Sequence, residues 1–103
     1  MNLHDTITDR PARLAKEIAA LARDILGPTV EVMWFGSWPQ RKARKYSDLD
    51  IAVSVGAAIS PARMARLRDA IEDLPTLLEV DLVDLHVVGR ALRDEILKHG
   101  VRL

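Results

Sequence analysis

Apolar positions along the chain change period several times, and each change marks an element. Leu14, Ile18, Leu21, Ala22 and Ile25 recur at helical spacing, which predicts an amphipathic helix over 10–26. Asp9 stands where a cap belongs and Pro11 suits a first turn. Gly27-Pro28 then ends the helix, because Gly accepts the left-handed C′ position and Pro cannot continue. The run 29–35 (Thr-Val-Glu-Val-Met-Trp-Phe) is β-branched and aromatic and predicts a strand. Gly36-Ser37 closes it. The basic stretch 38–46 predicts a loop with one helical turn. A second strand over 48–54 buries Ile51, Ala52 and Val53.

Ser60-Pro61 is a helix start, with Ser as cap and Pro as first residue. That helix runs to about Leu74, turns Met64, Leu67, Ile71 and Leu74 inward, and stops at Pro75. Residues 77–88 predict a long third strand. A last helix over 90–98 turns Leu92, Ile96 and Leu97 inward, and Gly100 closes it. The order αβαβαβα predicts an α+β fold, a small mixed sheet with helices packed on it, in one domain spanning 1–103.

Composition narrows the function classes. The 103 residues are 49% apolar and 29% charged, as expected of a globular chain with one core. Lys plus Arg and Asp plus Glu balance at 15 each, so no overall field draws nucleic acid. Cys is absent, which removes disulfides and thiolate metal sites and suits the cytoplasm. No apolar run is long enough to span a membrane. His4, His86 and His99 are too scattered to form a metal cluster.

The chemistry concentrates in two places. Asp48 and Asp50 are two apart at the start of the second strand, so both carboxylates face one side. Such a pair is costly without a cation between its members, and a divalent metal suits it. Ten residues earlier, the Gly36-Ser37 turn can offer N–H groups and a hydroxyl to an anion. The third strand adds Asp81 and Asp84. They are three apart and point to opposite faces, so one of them can join the pair. Two carboxylates that bridge two ions, with a third on the ion that activates a nucleophile, make a two-metal site.

The run Phe35-Gly36-Ser37, a ten-residue spacer, Ser47-Asp48-Leu49-Asp50-Ile51-Ala52-Val53 and then Val80-Asp81-Leu82-Val83-Asp84 resembles the minimal nucleotidyltransferases of the DNA polymerase beta superfamily. The resemblance covers most of the chain. It implies the polymerase beta-like nucleotidyltransferase fold and a Mg²⁺-dependent transfer of a nucleoside monophosphate, AMP from ATP, to a hydroxyl. Asp48 and Asp50 would ligate two Mg²⁺ ions. Asp81, rather than Asp84, would be the third carboxylate, on the catalytic metal. Gly36 and Ser37 would hold the β- and γ-phosphates.

The family has Arg, a small residue, a basic residue and Gly after Gly-Ser, where this chain has Trp38, Pro39, Gln40 and Arg41. Arg41, Lys42, Arg44 and Lys45 crowd the same loop and are the candidates to grip phosphate in compensation. Trp38 is read as either core or a partner contact. Tyr46 is read as packing over the loop, with base stacking as the alternative, and Asp84 as structural. A chain this short leaves little room for an acceptor domain. The resemblance implies a small helical HEPN-type partner from an adjacent gene, in a toxin–antitoxin-like pair, with a homodimer or hetero-oligomer as the assembly. The alternative is a binding module of the same fold that neutralises or scaffolds a helical partner with little catalysis.

Overall fold

A computed structural model of the chain describes the backbone of residues 3–40, 42–43 and 47–103, and the side chains of the same residues from Arg10 onward. The elements are helix α1 (Leu3–Leu26), strands β1 (Glu31–Phe35) and β2 (Leu49–Ser54), helix α2 (Pro61–Glu72), strand β3 (Val80–Asp84), helix α3 (Arg90–His99) and strand β4 (Val101–Arg102). The sheet order is β3-β2-β1-β4. β2 and β3 are parallel and joined through α2, whereas β1 runs antiparallel to both β2 and β4. The fold is α+β with a mixed sheet, as the pattern predicts.

β2 is buried on both faces, and alternate side chains serve separate cores. Leu49, Ile51 and Val53 join Val32, Trp34 and Leu82 beneath α1 and α2. Ala52 joins Met33, Phe35, Leu85 and Ile96 on the face that α3 covers. α1 meets the sheet closely because Ala15, Ala19 and Ala22 lie among its buried residues with Leu14, Ile18 and Leu26. α2 begins as read: the Ser60 hydroxyl accepts the Arg63 N–H at 3.3 Å, and Pro61 is the first helical residue.

Several expectations are corrected. α1 starts at Leu3, so Asp9 and Pro11 lie within it. Pro is favoured in a first turn, and that local signal outweighs Leu3 and Ile7, which stand at helical spacing ahead of Leu14. Leu21 and Ile25 are only partly buried against the core. β3 covers five residues, not 77–88. The Thr76 hydroxyl accepts the Leu78 N–H at 3.0 Å, forming a turn before it, and the N–H groups of Val87 and Val88 fold back onto the Asp84 carbonyl after it. In α3 only Ile96 is buried, while Leu92 and Leu97 are exposed, because one side of a short helix meets the sheet.

β4 was not expected. Its two residues carry no period, yet Val101 and Arg102 pair with Trp34 and Met33. Leu103 extends the edge, its N–H donating to the Val32 carbonyl at 2.9 Å and its carbonyl accepting from Arg23 at 2.7 Å. Between β1 and β2 the described residues form a turn at 37–40, closed by the Lys42 N–H on the Ser37 carbonyl at 2.8 Å. Arg41, Arg44, Lys45 and Tyr46, and the side chains of His4 and Asp9, lie outside the described residues.

Leu67 is fully buried and Leu77 is 89% exposed. Leu67→Ala is expected to cost about 2–5 kcal/mol, and Leu77→Ala less than about 0.5 kcal/mol. Urea unfolding of both variants measures the difference.

Candidate functional site

Asp48, Asp50 and Asp81 gather at one end of the sheet. Phe35, Asp50 and Asp81 are neighbours across β1, β2 and β3, since Asp50 pairs with Phe35 on one side and with Asp81 on the other. Side chains alternate along each strand, and Ala52, Phe35 and Val83 belong to the α3-side core. Asp50 and Asp81 therefore share the α3 side. Asp48 stands just before β2 and is exposed, Asp50 is half-buried, and Asp81 is exposed.

The carboxylates act on one another. Burial first, then the charges of Asp81 and Asp48, push the Asp50 carboxyl up to about 6. Among the described residues, no three acidic or histidine side chains stand arranged to hold a metal ion as they are. The donor chemistry nevertheless suits a hard divalent cation, because all three groups offer oxygen. The raised Asp50 value registers burial first and then the repulsion of Asp81 and Asp48, and a cation would relieve that repulsion.

Asp84 is on the opposite face, as its three-residue offset from Asp81 requires. It is buried, and its role is structural. One carboxylate oxygen accepts the Ile59 N–H at 2.7 Å and the other accepts the His86 N–H at 2.9 Å. It thereby ties the approach to α2 to the turn after β3. His86 itself lies in that turn, its Nε2 2.9 Å from the Ser54 hydroxyl. His99 ends α3, where a cation is favourable.

Gly36 has a geometric reason that the sequence pattern did not disclose. Its φ is +84°, and a Cβ there would collide with the Asp50 carboxylate. The turn after β1 thus lies directly against the acidic group, which only a residue without a side chain permits. Trp38, read as core or partner contact, is core at 1% exposure. Its indole N–H donates to the Ser47 carbonyl at 2.9 Å, drawing the two ends of the loop together. Lys42 is exposed. The other three basic candidates, Arg41, Arg44 and Lys45, have no described position.

Sequence reasoning missed a cleft beside Asp81. It measures about 520 Å³ and runs between the second half of α2 and β3. Arg68, Glu72, Thr76, Glu79 and Asp81 are its polar lining residues, and Ile71, Leu74 and Leu78 are among its apolar ones. Only the crossover geometry of α2 brings these positions together.

A family model described as polymerase beta, nucleotidyltransferase, matches residues 14–103. No curated protein matches the chain. Among solved structures, one described as a candidate minimal nucleotidyltransferase is 27% identical, with a TM-score of 0.70 over 94% of this chain and 95% of that one. A toxin–antitoxin structure with AMP-PNP is 28% identical, with a TM-score of 0.69 over 85% of this chain and 70% of that one. A complex of a tri-AMPylated HEPN toxin with an MNT antitoxin from Shewanella oneidensis is similar in fold, at 24% identity and a TM-score of 0.66 over 89% of this chain and 70% of that one.

The raised Asp50 value has a definite sign. The folded state holds the proton to about pH 6, against about 3.8 for the unconstrained group. Below both values the group is protonated in either state and costs nothing. Stability then falls as pH rises through this window, and above it the full penalty remains. In EDTA, Asp50→Asn is expected to stabilise the protein at pH 7 by on the order of 1 kcal/mol after solvent screening. The gain should vanish below about pH 4, where the aspartate is neutral in both states. Urea midpoints across pH measure this. Mg²⁺ at pH 7 should raise the melting temperature of the native chain but not of the variant. Gly36→Ala should lose both the Mg²⁺ response and stability.

Proposed function

This chain belongs to the polymerase beta nucleotidyltransferase family, and from that premise we propose that it transfers a nucleoside monophosphate, AMP from ATP, to a hydroxyl on a helical HEPN-type partner. It would be the antitoxin half of a toxin–antitoxin pair. The observation that carries this reading is the Asp48/Asp50/Asp81 group, with Gly36 against Asp50. A carboxylate held in this repelling field, beside a turn that accepts no side chain, suits a cation and a phosphate better than it suits stability alone.

Asp48 and Asp50 would hold two Mg²⁺ ions, and Asp81 would complete the ligand set of one of them. The metal, when bound, offsets charge on the phosphates and lowers the pKa of the attacking hydroxyl. The N–H groups and hydroxyl of Gly36-Ser37 would orient the β- and γ-phosphates. Lys42, with Arg41, Arg44 and Lys45, would supply the positive charge that Trp38, committed to the core, cannot. Most of the rate would come from positioning and electrostatics. Two solved neighbours support the substrate and partner classes: one holds AMP-PNP, and the other joins an AMPylated HEPN toxin to an MNT antitoxin. No helix among the described residues is long and apolar enough to cross a membrane. With no Cys in the chain, we place the pair in the cytoplasm.

A second reading rests on the loop sequence Trp38–Arg41, which departs from the family pattern. In it the chain binds and neutralises the partner without catalysis. Incubation with the adjacent-gene helical protein, Mg²⁺ and α-labelled ATP separates the two. The enzyme reading expects label on the partner, lowered about 10²-fold or more in Asp48→Ala, Asp50→Asn or Asp81→Asn. A tight complex that takes no label from any nucleoside triphosphate would overturn it and leave the binding module.

A further inference from the structure

Of the three site carboxylates, only Asp48 lies outside the sheet. Asp50 and Asp81 are paired across β2 and β3, whereas β2 begins at Leu49. The aim of Asp48 therefore depends on its two neighbours. On one side, the Leu49 N–H donates to the Glu79 carbonyl at 2.8 Å, and the Leu49 side chain is fully buried. On the other, the Ser47 carbonyl accepts the Trp38 indole N–H at 2.9 Å. A peptide unit is planar, so each bond holds one of the two planes that meet at the Asp48 Cα. With both planes held, φ and ψ of Asp48 are set, and with them the direction of its Cβ.

Trp38 is placed to do this. It follows Gly36-Ser37 directly, and the turn is closed by the Lys42 N–H on the Ser37 carbonyl. Phe35, just before Gly36, belongs to the α3-side core, and Trp38 belongs to the core beneath α1 and α2. The turn is thus pinned to a different core at each end. A ring packed on all sides keeps one rotamer, so its N–H stays aimed at the Ser47 carbonyl. Trp34 provides the contrast. It lies in the same core as Trp38, but its buried indole N–H has no hydrogen-bond partner among the described residues. Trp34 supplies bulk, whereas Trp38 supplies bulk and a directed bond.

We infer that Trp38 is a positioning residue of the metal site: through the Ser47 carbonyl it aims Asp48 and ties it to the Gly36-Ser37 turn. This rests on the reading above that Asp48 ligates a divalent cation. Buried as it is, Trp38 acts through the backbone at the two ends of the loop and not on the ligand.

The test compares Trp38→Phe with Trp34→Phe in the full chain, without nucleotide. Each exchange removes an indole N–H and the same ring volume from one core, but only the first breaks the bond to Ser47. Mn²⁺, which takes the same oxygen ligands, is titrated in, and its free fraction is read by electron paramagnetic resonance. Asp48→Asn marks the loss of the ligand itself. Trp38→Phe should weaken Mn²⁺ binding about tenfold or more, and Trp34→Phe less than about twofold. In the native chain, Mg²⁺ should move the indole N–H NMR signal of Trp38 and leave that of Trp34 in place. That measurement decides the matter if Trp38→Phe does not fold. Unchanged Mn²⁺ affinity in Trp38→Phe, equal losses in both Trp variants, or a Trp38 indole signal that Mg²⁺ does not move overturns the inference. The metal reading then still stands if Asp48→Asn weakens binding. If the native chain binds no Mn²⁺, or Asp48→Asn binds it equally well, the metal reading falls and the inference falls with it.

Discussion

β2 is held in register by apolar side chains on both of its faces, and the place of every acidic group at the site follows from that register. Leu49, Ile51 and Val53 are locked under α1 and α2, while Ala52 is locked under α3. A slip of one residue would turn all of them to the wrong face. It would also take Asp50 away from Gly36 and away from its pairing with Asp81. The core thus fixes the carboxylates more firmly than any contact the carboxylates make themselves.

That arrangement works against itself locally. Burial and two like charges disfavour an ionised Asp50, and Gly36, with its positive φ and absent side chain, contributes nothing to packing. The remaining architecture offsets these costs. Trp38 fills the core and closes the loop onto the Ser47 carbonyl. Asp84, three residues from Asp81, spends its charge on two backbone N–H groups. The same strand therefore carries one carboxylate that builds the fold and one that faces the site.

The sheet itself is polarised. At one edge the short β4 pairs with β1, and Leu103 extends that pairing, its N–H on the Val32 carbonyl and its carbonyl accepting from Arg23. Its β3 edge is flanked by a cleft of mixed polarity rather than by another strand.

Much of this was legible in the residues. The caps at Ser60-Pro61 and Gly27-Pro28, the β-branched runs and the pair Asp48/Asp50 are local signals, because capping geometry and strand alternation depend on near neighbours alone. The same locality misled the reading at α1, where Pro11 mimicked a first turn, and at Leu92 and Leu97, which period placed inward but which no second layer covers. Two residues at Val101-Arg102 are too few to carry a period. The sequence by itself determined the elements, the two faces of each strand and the identity of the acidic groups. Only the tertiary structure decided that Gly36 lies against Asp50, that Trp38 is core, and that α2 and β3 enclose a cleft beside Asp81. Those facts depend on contacts between segments far apart in the chain, which strand pairing and the α2 crossover bring together.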